Sequence, residues 1–384
     1  MMRLPVFTTG KSAVMVGAAP TLVFGVTEAI FAPLAARQVV RARESGVQTA
    51  INDSLYSVAQ AYFDVQQARG RIGGAIDTVA RAEELLRRVE KLAGGLTPAV
   101  EVNRVRTELA RRRQAVEAAQ ESRETASAEL ARLLRLPPSA LIDPIEPPHL
   151  RVDLIDLNQG VDDLIPVGLT HRPELAAHKA LVLATLARLR QERIRPLVPS
   201  VVIRGAPASP GGALSAGYFG GGINDQLTNF GARNGVNVQL LWEFRNLGFG
   251  NRAAVREQRA ENEQAVLELF RVQDRVAAEI VQAHSQARRA ANRAALAEEE
   301  LQNARITAEK NLEGLSQTRR VGETLLLVFR PQEVVATISA LDLAYQAYYA
   351  AIADANRAQF RLYRALGHPA QCVDARIPAS SPER

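Results

Sequence analysis

With 384 residues, 47% of them hydrophobic, the chain has the composition of a folded protein and not of a disordered one. A net charge of +6, only 5% aromatics, and arginines interleaved with glutamates along helical stretches do not fit a nucleic-acid surface, which gathers its basic residues in a patch with aromatics between them. The single cysteine, Cys372, can form no intrachain disulfide and gives no compartment signal.

Gly10, Lys11 and Ser12 resemble the end of a phosphate-binding loop, but Pro5 stands where its first glycine belongs and no helix obviously follows. Residues 12–36 carry one charge, Glu28, and in bulk hydropathy look like a signal peptide or a membrane helix. Pro20 and Gly25 interrupt that stretch. An internal repeat decides for a strand over 21–31: residues 23–68 match 238–283 at a constant offset of 215, pairing Glu28 with Glu243, Arg37 with Arg252, and Arg41 with Arg256. Farther on, Gly95 and Thr97 match Gly322 and Thr324, and Arg132, Leu134 and Pro137 match Arg364, Leu366 and Pro369.

A long helix is predicted over 33–93. Ile51, Leu55, Val58, Tyr62, Val65, Ile72, Ile76, Val79 and Leu86 recur at coiled-coil spacing, which marks a rod on the order of 80 Å at about 1.5 Å per residue. Gly70, Gly73 and Gly74 in its middle predict a bend or a close helix contact. A turn at Gly94–Pro98 leads to a returning helix over 99–136, so that 1–145 forms a first repeat, an antiparallel hairpin headed by one strand.

The second repeat, 146–370, opens with a proline-containing linker and continues with a helix over 173–195 that has Pro173 near its first turn. Strands are predicted over 200–207 and 236–246, separated by a loop rich in Gly, Ser and Asn. In the second strand Val236, Val238, Leu240, Trp242 and Phe244 alternate with mostly polar residues. That alternation fits equally a transmembrane barrel strand and a half-buried strand of a soluble sandwich. A long helix over 251–320, a turn at Val321–Thr324 and a returning helix over 331–366 complete this repeat, and 371–384 is a disordered tail. At the offset of 215 the first-copy counterparts of the second copy's helix and strand, about 173–207, would fall before residue 1, so the chain is expected to begin inside its first repeat, as an N-terminally truncated form.

The fold class is therefore mainly α with a small β part: long antiparallel coiled-coil hairpins in two tandem repeats. The five histidines lack metal-ligand spacing, and no catalytic, cofactor or metal residue is predicted.

The order strand, long helix, Gly turn and helix, followed by Arg172-Pro173-Glu174-Leu175, Val198-Pro199-Ser200-Val201, Trp242-Glu243-Phe244 and Ala365-Leu366-Gly367, resembles the TolC-like outer membrane efflux protein family, the outer membrane factors, over about 21–370. The resemblance implies a homotrimer with a β-barrel in outer membrane lipid and a helical tunnel in the periplasm. It also implies a periplasmic adaptor protein and an inner-membrane pump as partners, in tripartite efflux or type I secretion. By the same resemblance, adaptor docking and the periplasmic gate fall at Gly95, Leu96, Thr97 and Glu101, and at Val321, Gly322, Glu323 and Thr324, while Trp242 and Phe244 form the membrane girdle. Glu101 matches a carboxylate that the family often carries six residues after the turn glycine, whereas Val328 and Pro331 stand where acids occur in the second copy. Glu101 reads equally as a solvated helix-start acid.

Three strands cannot close a barrel from one chain, and open edges cannot be left in lipid, so several chains must contribute. Since each family protomer supplies four strands, this chain is one short. A periplasmic adaptor and a soluble coiled-coil scaffold are the alternatives. The first would need a split β-domain around a single hairpin, and the second has no use for the Trp242 strand.

Overall fold

In the computed structural model the described residues are 14–16, 21–93, 98–137, 139–205, 215–219, 230–234, 236–315, 317–321, 324–327 and 330–367. Gly10–Ser12, Cys372 and the tail 371–384 lie outside them. In chain order the elements are β1 (Val14–Val16), β2 (Thr21–Phe24), α1 (Val26–Leu92), α2 (Ala99–Leu133), α3 (Val161–His171), α4 (Pro173–Ile194), β3 (Ser200–Gly205), β4 (Ser215–Phe219), β5 (Phe230–Asn234), β6 (Val236–Leu241), α5 (Phe249–Gly314), β7 (Thr318–Val321), β8 (Thr324–Leu327) and α6 (Pro331–Ala365). Two compact units divide them: Met1–Ser45 with Ala176–Arg271, and Gly46–Leu175 with Val272–Arg384. These units cut across the repeat boundary at 145/146, because strands of both copies pair with each other and helices of both copies bundle together.

In the first unit β2, β3 and β6 form an antiparallel sheet in the order β2-β3-β6, and β1, β4 and β5 form another in the order β1-β4-β5. The strand expected over 21–31 ends at Phe24. Gly25 breaks it, the Ala29 amide already bonds the Gly25 carbonyl at 2.8 Å, and Glu28 sits in the first helical turn, where the dipole favours an acid. Part of the segment read as a loop, 205–235, is strand: β4 and β5 pair from Ser215↔Asn234 to Phe219↔Phe230. The strand expected to reach 246 stops at Leu241 and a short 3-10 turn, Arg245–Gly248, leads into α5.

Cα pairing sets Phe24 opposite Val201 and Val201 opposite Leu240, and sets Ile203 opposite Val238. Partners point to the same side of a sheet, so Phe24, Val201, Ile203, Val238 and Leu240 share one wholly apolar face. The other face carries Val23, Val202 and Gln239. Phe24, Val238 and Leu240 are all exposed, so the apolar face is not a covered core.

In the second unit α1 with α2 and α5 with α6 are antiparallel pairs. Val89 and Leu85 meet Val105 near one end of the first pair, and Val65 meets Leu130 near the other. Leu315 meets Val334, and Leu301 with Ala308 meets Leu341, in the second. The apolar stripe expected on α1 is only partly the buried one. Ile51, Leu55 and Ile76 are exposed, while Ala61, Val65, Ala68, Ala75, Ala82, Leu85 and Val89 are buried. Alanines therefore share the packing face with Val65, Leu85 and Val89, which the expected stripe only partly marked.

Gly70 and Gly74 mark the close contact anticipated there: they receive the rings of Tyr349 and Tyr345 of α6. A buried ionic cluster ties α2 to the same helix. Arg112 bonds Glu108 at 2.7 Å and Asp342 at 2.6 Å, and Ser339 donates to Glu108 at 3.1 Å.

The linker after α2 crosses the helices as a belt, fastened one helix at a time. Ser127 of α2 accepts from the Ile142 amide at 2.6 Å. Gln66 of α1 donates to the Glu146 carbonyl at 3.1 Å, Arg69 donates to that of Pro144, and the Tyr62 hydroxyl donates to the Glu146 carboxylate. On α6, Asn356 holds both Val152 and Leu150, at 2.9 and 2.8 Å, and Gln359 accepts from Ile155 at 3.2 Å. Arg151 then pairs with Glu298 of α5 at 2.7 Å. The belt runs into α3, a helix the sequence reading did not predict.

Two motifs of the sequence converge here. Gly367, at φ 74, sits where a Cβ would come 2.7 Å from the His171 carbonyl carbon and 2.8 Å from the Arg172 nitrogen. Buried Arg172 donates to Glu279 and to the Arg364 carbonyl, and Arg364 pairs with Asp53 at 2.6 Å. Arg172-Pro173-Glu174 and Ala365-Leu366-Gly367 thus form a structural junction.

Candidate functional site

The ends of both helical hairpins lie together in the second unit. One cluster of Leu85, Val89, Val105, Leu315, Val334 and Ile338, flanked by Leu92, Val102 and Leu312, joins the end of α1, the start of α2, the end of α5 and the start of α6. Each buried Leu or Val contributes about 1.5–3 kcal/mol, enough to hold the two ends as one body. Polar bonds reinforce it: Arg88 of α1 donates to the Leu312 carbonyl at 2.6 Å, and Arg106 of α2 pairs with Glu90 of α1 at 2.9 Å.

Of the predicted tip residues, Gly95, Leu96, Thr97, Gly322 and Glu323 lie outside the described residues. Glu101 is in the first turn of α2, as the dipole favours. It is not a solvated acid: its side chain is mostly buried, Oε1 accepts from Arg104 at 2.6 Å, and Oε2 is enclosed with no hydrogen-bond partner among the described residues. Arg104 also reaches Gln332 of α6 at 3.4 Å, linking the two tips.

The second tip differs from the expected simple turn. The long helix expected to run to 320 stops at Gly314, and a two-stranded ribbon follows, in which β7 pairs with β8 from Thr318↔Leu327 to Val321↔Thr324. Val321 and Thr324 therefore close the ribbon, leaving a two-residue connection, the length that favours a hairpin. Pro331 stands at the first position of α6 and is buried, so the place where an acid occurs in the family serves helix initiation here.

The predicted girdle residues lie in the first unit, just beyond β6. Trp242 and Phe244 are 48% and 61% exposed. Sequence reasoning missed two neighbours: Leu247 is 94% exposed and Phe249 70% exposed. Leu247 is held at φ 57, a left-handed conformation that costs a leucine roughly 1–2 kcal/mol. Strain of this kind persists where surroundings impose it, and here it turns a large apolar side chain outward.

Among the described residues no helix is long and apolar enough to cross a membrane, and no group of three His, Cys, Asp or Glu is placed to hold a metal. A cavity of about 230 Å³ between α1, α2 and α6 is walled largely by Ala75, Ala115, Ala118 and Ala119, and it borders Asp342, already engaged by Arg112.

No protein-family model matches the chain, and no curated protein matches it in sequence. Solved structures do match. The outer membrane protein VceC from Vibrio cholerae superposes with a TM-score of 0.69 at 16% identity, covering 93% of this chain and 87% of that one. CusC, described as forming a transmembrane channel, gives 0.70 at 15% identity, with 93% and 83% covered. The outer membrane channel MtrE of Neisseria gonorrhoeae gives 0.69 at 13% identity, with 93% and 81% covered. The chain has the TolC-like outer membrane factor fold.

Proposed function

We propose that the chain is the outer membrane channel component of a tripartite efflux or type I secretion system, a passive conduit for small molecules or proteins that extends into the periplasm. The observation that carries this reading is the exposed apolar face of the β2-β3-β6 sheet, followed in the chain by the exposed Trp242, Phe244, Leu247 and Phe249. Water would drive such a face under cover, whereas hydrocarbon suits it, with aromatics at the interface. β2 and β6 are the edges of that sheet, and an open edge is not tolerated in lipid, so strands of further copies must complete the ring. The homotrimer expected from the resemblance meets that need.

The joined tips are the surface proposed for an adaptor protein and for gating, with Glu101 and the β7-β8 ribbon as their distinctive features. A conduit of this kind needs no catalytic residue and no cofactor, and its cargo is chosen by an inner-membrane pump.

Cell fractionation tests the reading. The protein is expected in the outer membrane fraction, released only by detergent, and to migrate as a trimer before heating. Recovery as a freely soluble monomer would defeat it and favour a soluble coiled-coil scaffold.

A further inference from the structure

Three helical segments adjoining the β2-β3-β6 sheet repeat one surface pattern, all inside the first unit. On α1 the exposed Leu34 is followed, at steps of three and four, by Arg37 and Arg41. On α5 the exposed Phe249 is followed at the same steps by Arg252 and Arg256. On α4, read backwards from the exposed Leu197 in the turn after the helix, come Arg193 and Arg190. Steps of three and four keep residues on one helical face, so α1 and α5 each carry an apolar side chain at the sheet end of a face with two arginines beyond it, and on α4 Arg193 and Arg190 share a face just before the turn that holds Leu197.

These positions correspond to one another. The internal repeat matches Arg37 with Arg252 and Arg41 with Arg256. Asn262 of α5 donates to the Val182 carbonyl at 3.2 Å and to the Thr185 hydroxyl at 2.9 Å, fixing how the antiparallel α4 and α5 are aligned. Counting from that contact toward the sheet brings Arg193 level with Arg252 and Arg190 level with Arg256. All six arginines are exposed. Their neighbours Arg195, Arg245 and Arg259 are paired with Glu192, Glu243 and Glu263, but among the described residues none of the six is paired with a carboxylate.

An exposed apolar residue followed one turn later by an unpaired cation is the pattern of a segment crossing from hydrocarbon into a headgroup layer. We propose that Arg37, Arg41, Arg190, Arg193, Arg252 and Arg256 form a collar that binds the phosphates of anionic phospholipids in the leaflet nearest the helices. The inference rests on the membrane reading of the sheet. A guanidinium binds phosphate through paired N–H groups, and each arginine near an anionic surface strengthens binding about fivefold. An anionic leaflet complements these exposed cations in charge.

The test counts lipids retained by the full-length, detergent-solubilised protein in native mass spectrometry, with phosphatidylglycerol and phosphatidylcholine supplied together. The collar variant is Arg193→Gln, Arg252→Gln, Arg256→Gln. The control, Arg288→Gln, Arg289→Gln, Arg293→Gln, removes the same charge from other exposed positions on α5. Phosphatidylglycerol retention is expected to fall at least about tenfold in the collar variant, to hold in the control, and to be largely restored by lysine at the three collar positions. Unchanged retention in the collar variant, an equal fall in the control, or a change in subunit number in place of lipid number overturns the collar. If the wild type binds neither lipid, the membrane reading fails with it. If wild type and collar variant bind both lipids equally, the membrane reading stands and the collar alone falls.

Discussion

Tyr345 of α6 lies directly on Gly74 of α1, so close that a Cβ at Gly74 would come 2.7 Å from the Tyr345 ring carbon Cγ. One turn away Tyr349 fills the place of a Cβ at Gly70, and the two tyrosine rings are stacked, 6.4 Å apart and 8° from parallel. Glycines at i and i+4 on one helix thus receive tyrosines at i and i+4 on another. The third glycine of the group, Gly73, faces open space.

That difference predicts opposite signs for the same substitution. Gly73→Ala should stabilise the protein by about 0.5–1 kcal/mol through helix propensity. Gly74→Ala should destabilise it by about 1–2 kcal/mol, because overpacking the tyrosine outweighs that gain. Thermal unfolding of the two variants side by side reads both signs.

The buried cluster of Arg112, Glu108 and Asp342 predicts a large single-mutant effect. Arg112→Met leaves the buried Asp342 without its cation and Glu108 with only the exposed Arg111, and should cost about 3–5 kcal/mol. Replacing all three residues with apolar side chains of similar volume should recover most of that loss, as denaturant unfolding would register.

The belt predicts a local effect with little global cost. Asn356→Ala combined with Gln359→Ala removes the side chains that bond Leu150, Val152 and Ile155. Each lost bond is worth about 0.5–1.5 kcal/mol, so hydrogen exchange should rise across 150–155 while the tip cluster stays protected.

The belt should also loosen at both extremes of pH. Burial first, and then the hydrogen bond to Glu146, push the Tyr62 hydroxyl up to about 12 from 10.0. A pKa raised in the folded state gives stability that is complete below pH 10 and lost as pH rises through about 12. The same bond from Tyr62 holds the Glu146 carboxyl below its ordinary 4.5, so its contribution is present above that pH and fades as pH falls through the depressed value. Hydrogen exchange at 140–155, followed from acid to alkaline pH, should show both losses in the wild type, and in Tyr62→Phe no alkaline loss and a smaller acid one, because a backbone hydrogen bond also holds the Glu146 carboxyl down.

How much of this was legible in the sequence follows from the range of each signal. The four long helices are local and periodic, and the duplication of Arg37 and Arg41 as Arg252 and Arg256 was visible at once. The glycine group announced a close approach but not that Tyr345 and Tyr349, far along the chain, would fill it. The β7-β8 ribbon was hidden because Thr318-Arg319-Arg320 reads as helix continuing and Leu325-Leu326-Leu327 shows no alternation; the two residues between Val321 and Thr324 were the available hint. α3 was obscured by Pro166 within it, although Gly160 and the acids Asp162 and Asp163 mark its start. Leu247 could not be foreseen, since no local rule places a leucine at positive φ.

The central claim is that copies of this chain enclose a water-filled path through a membrane. Single-channel recording of the purified, detergent-solubilised protein added to a planar lipid bilayer tests it most directly. The account predicts discrete conductance steps of uniform size that appear only after the protein inserts. A protein that associates with the bilayer yet gives no conductance steps would contradict it.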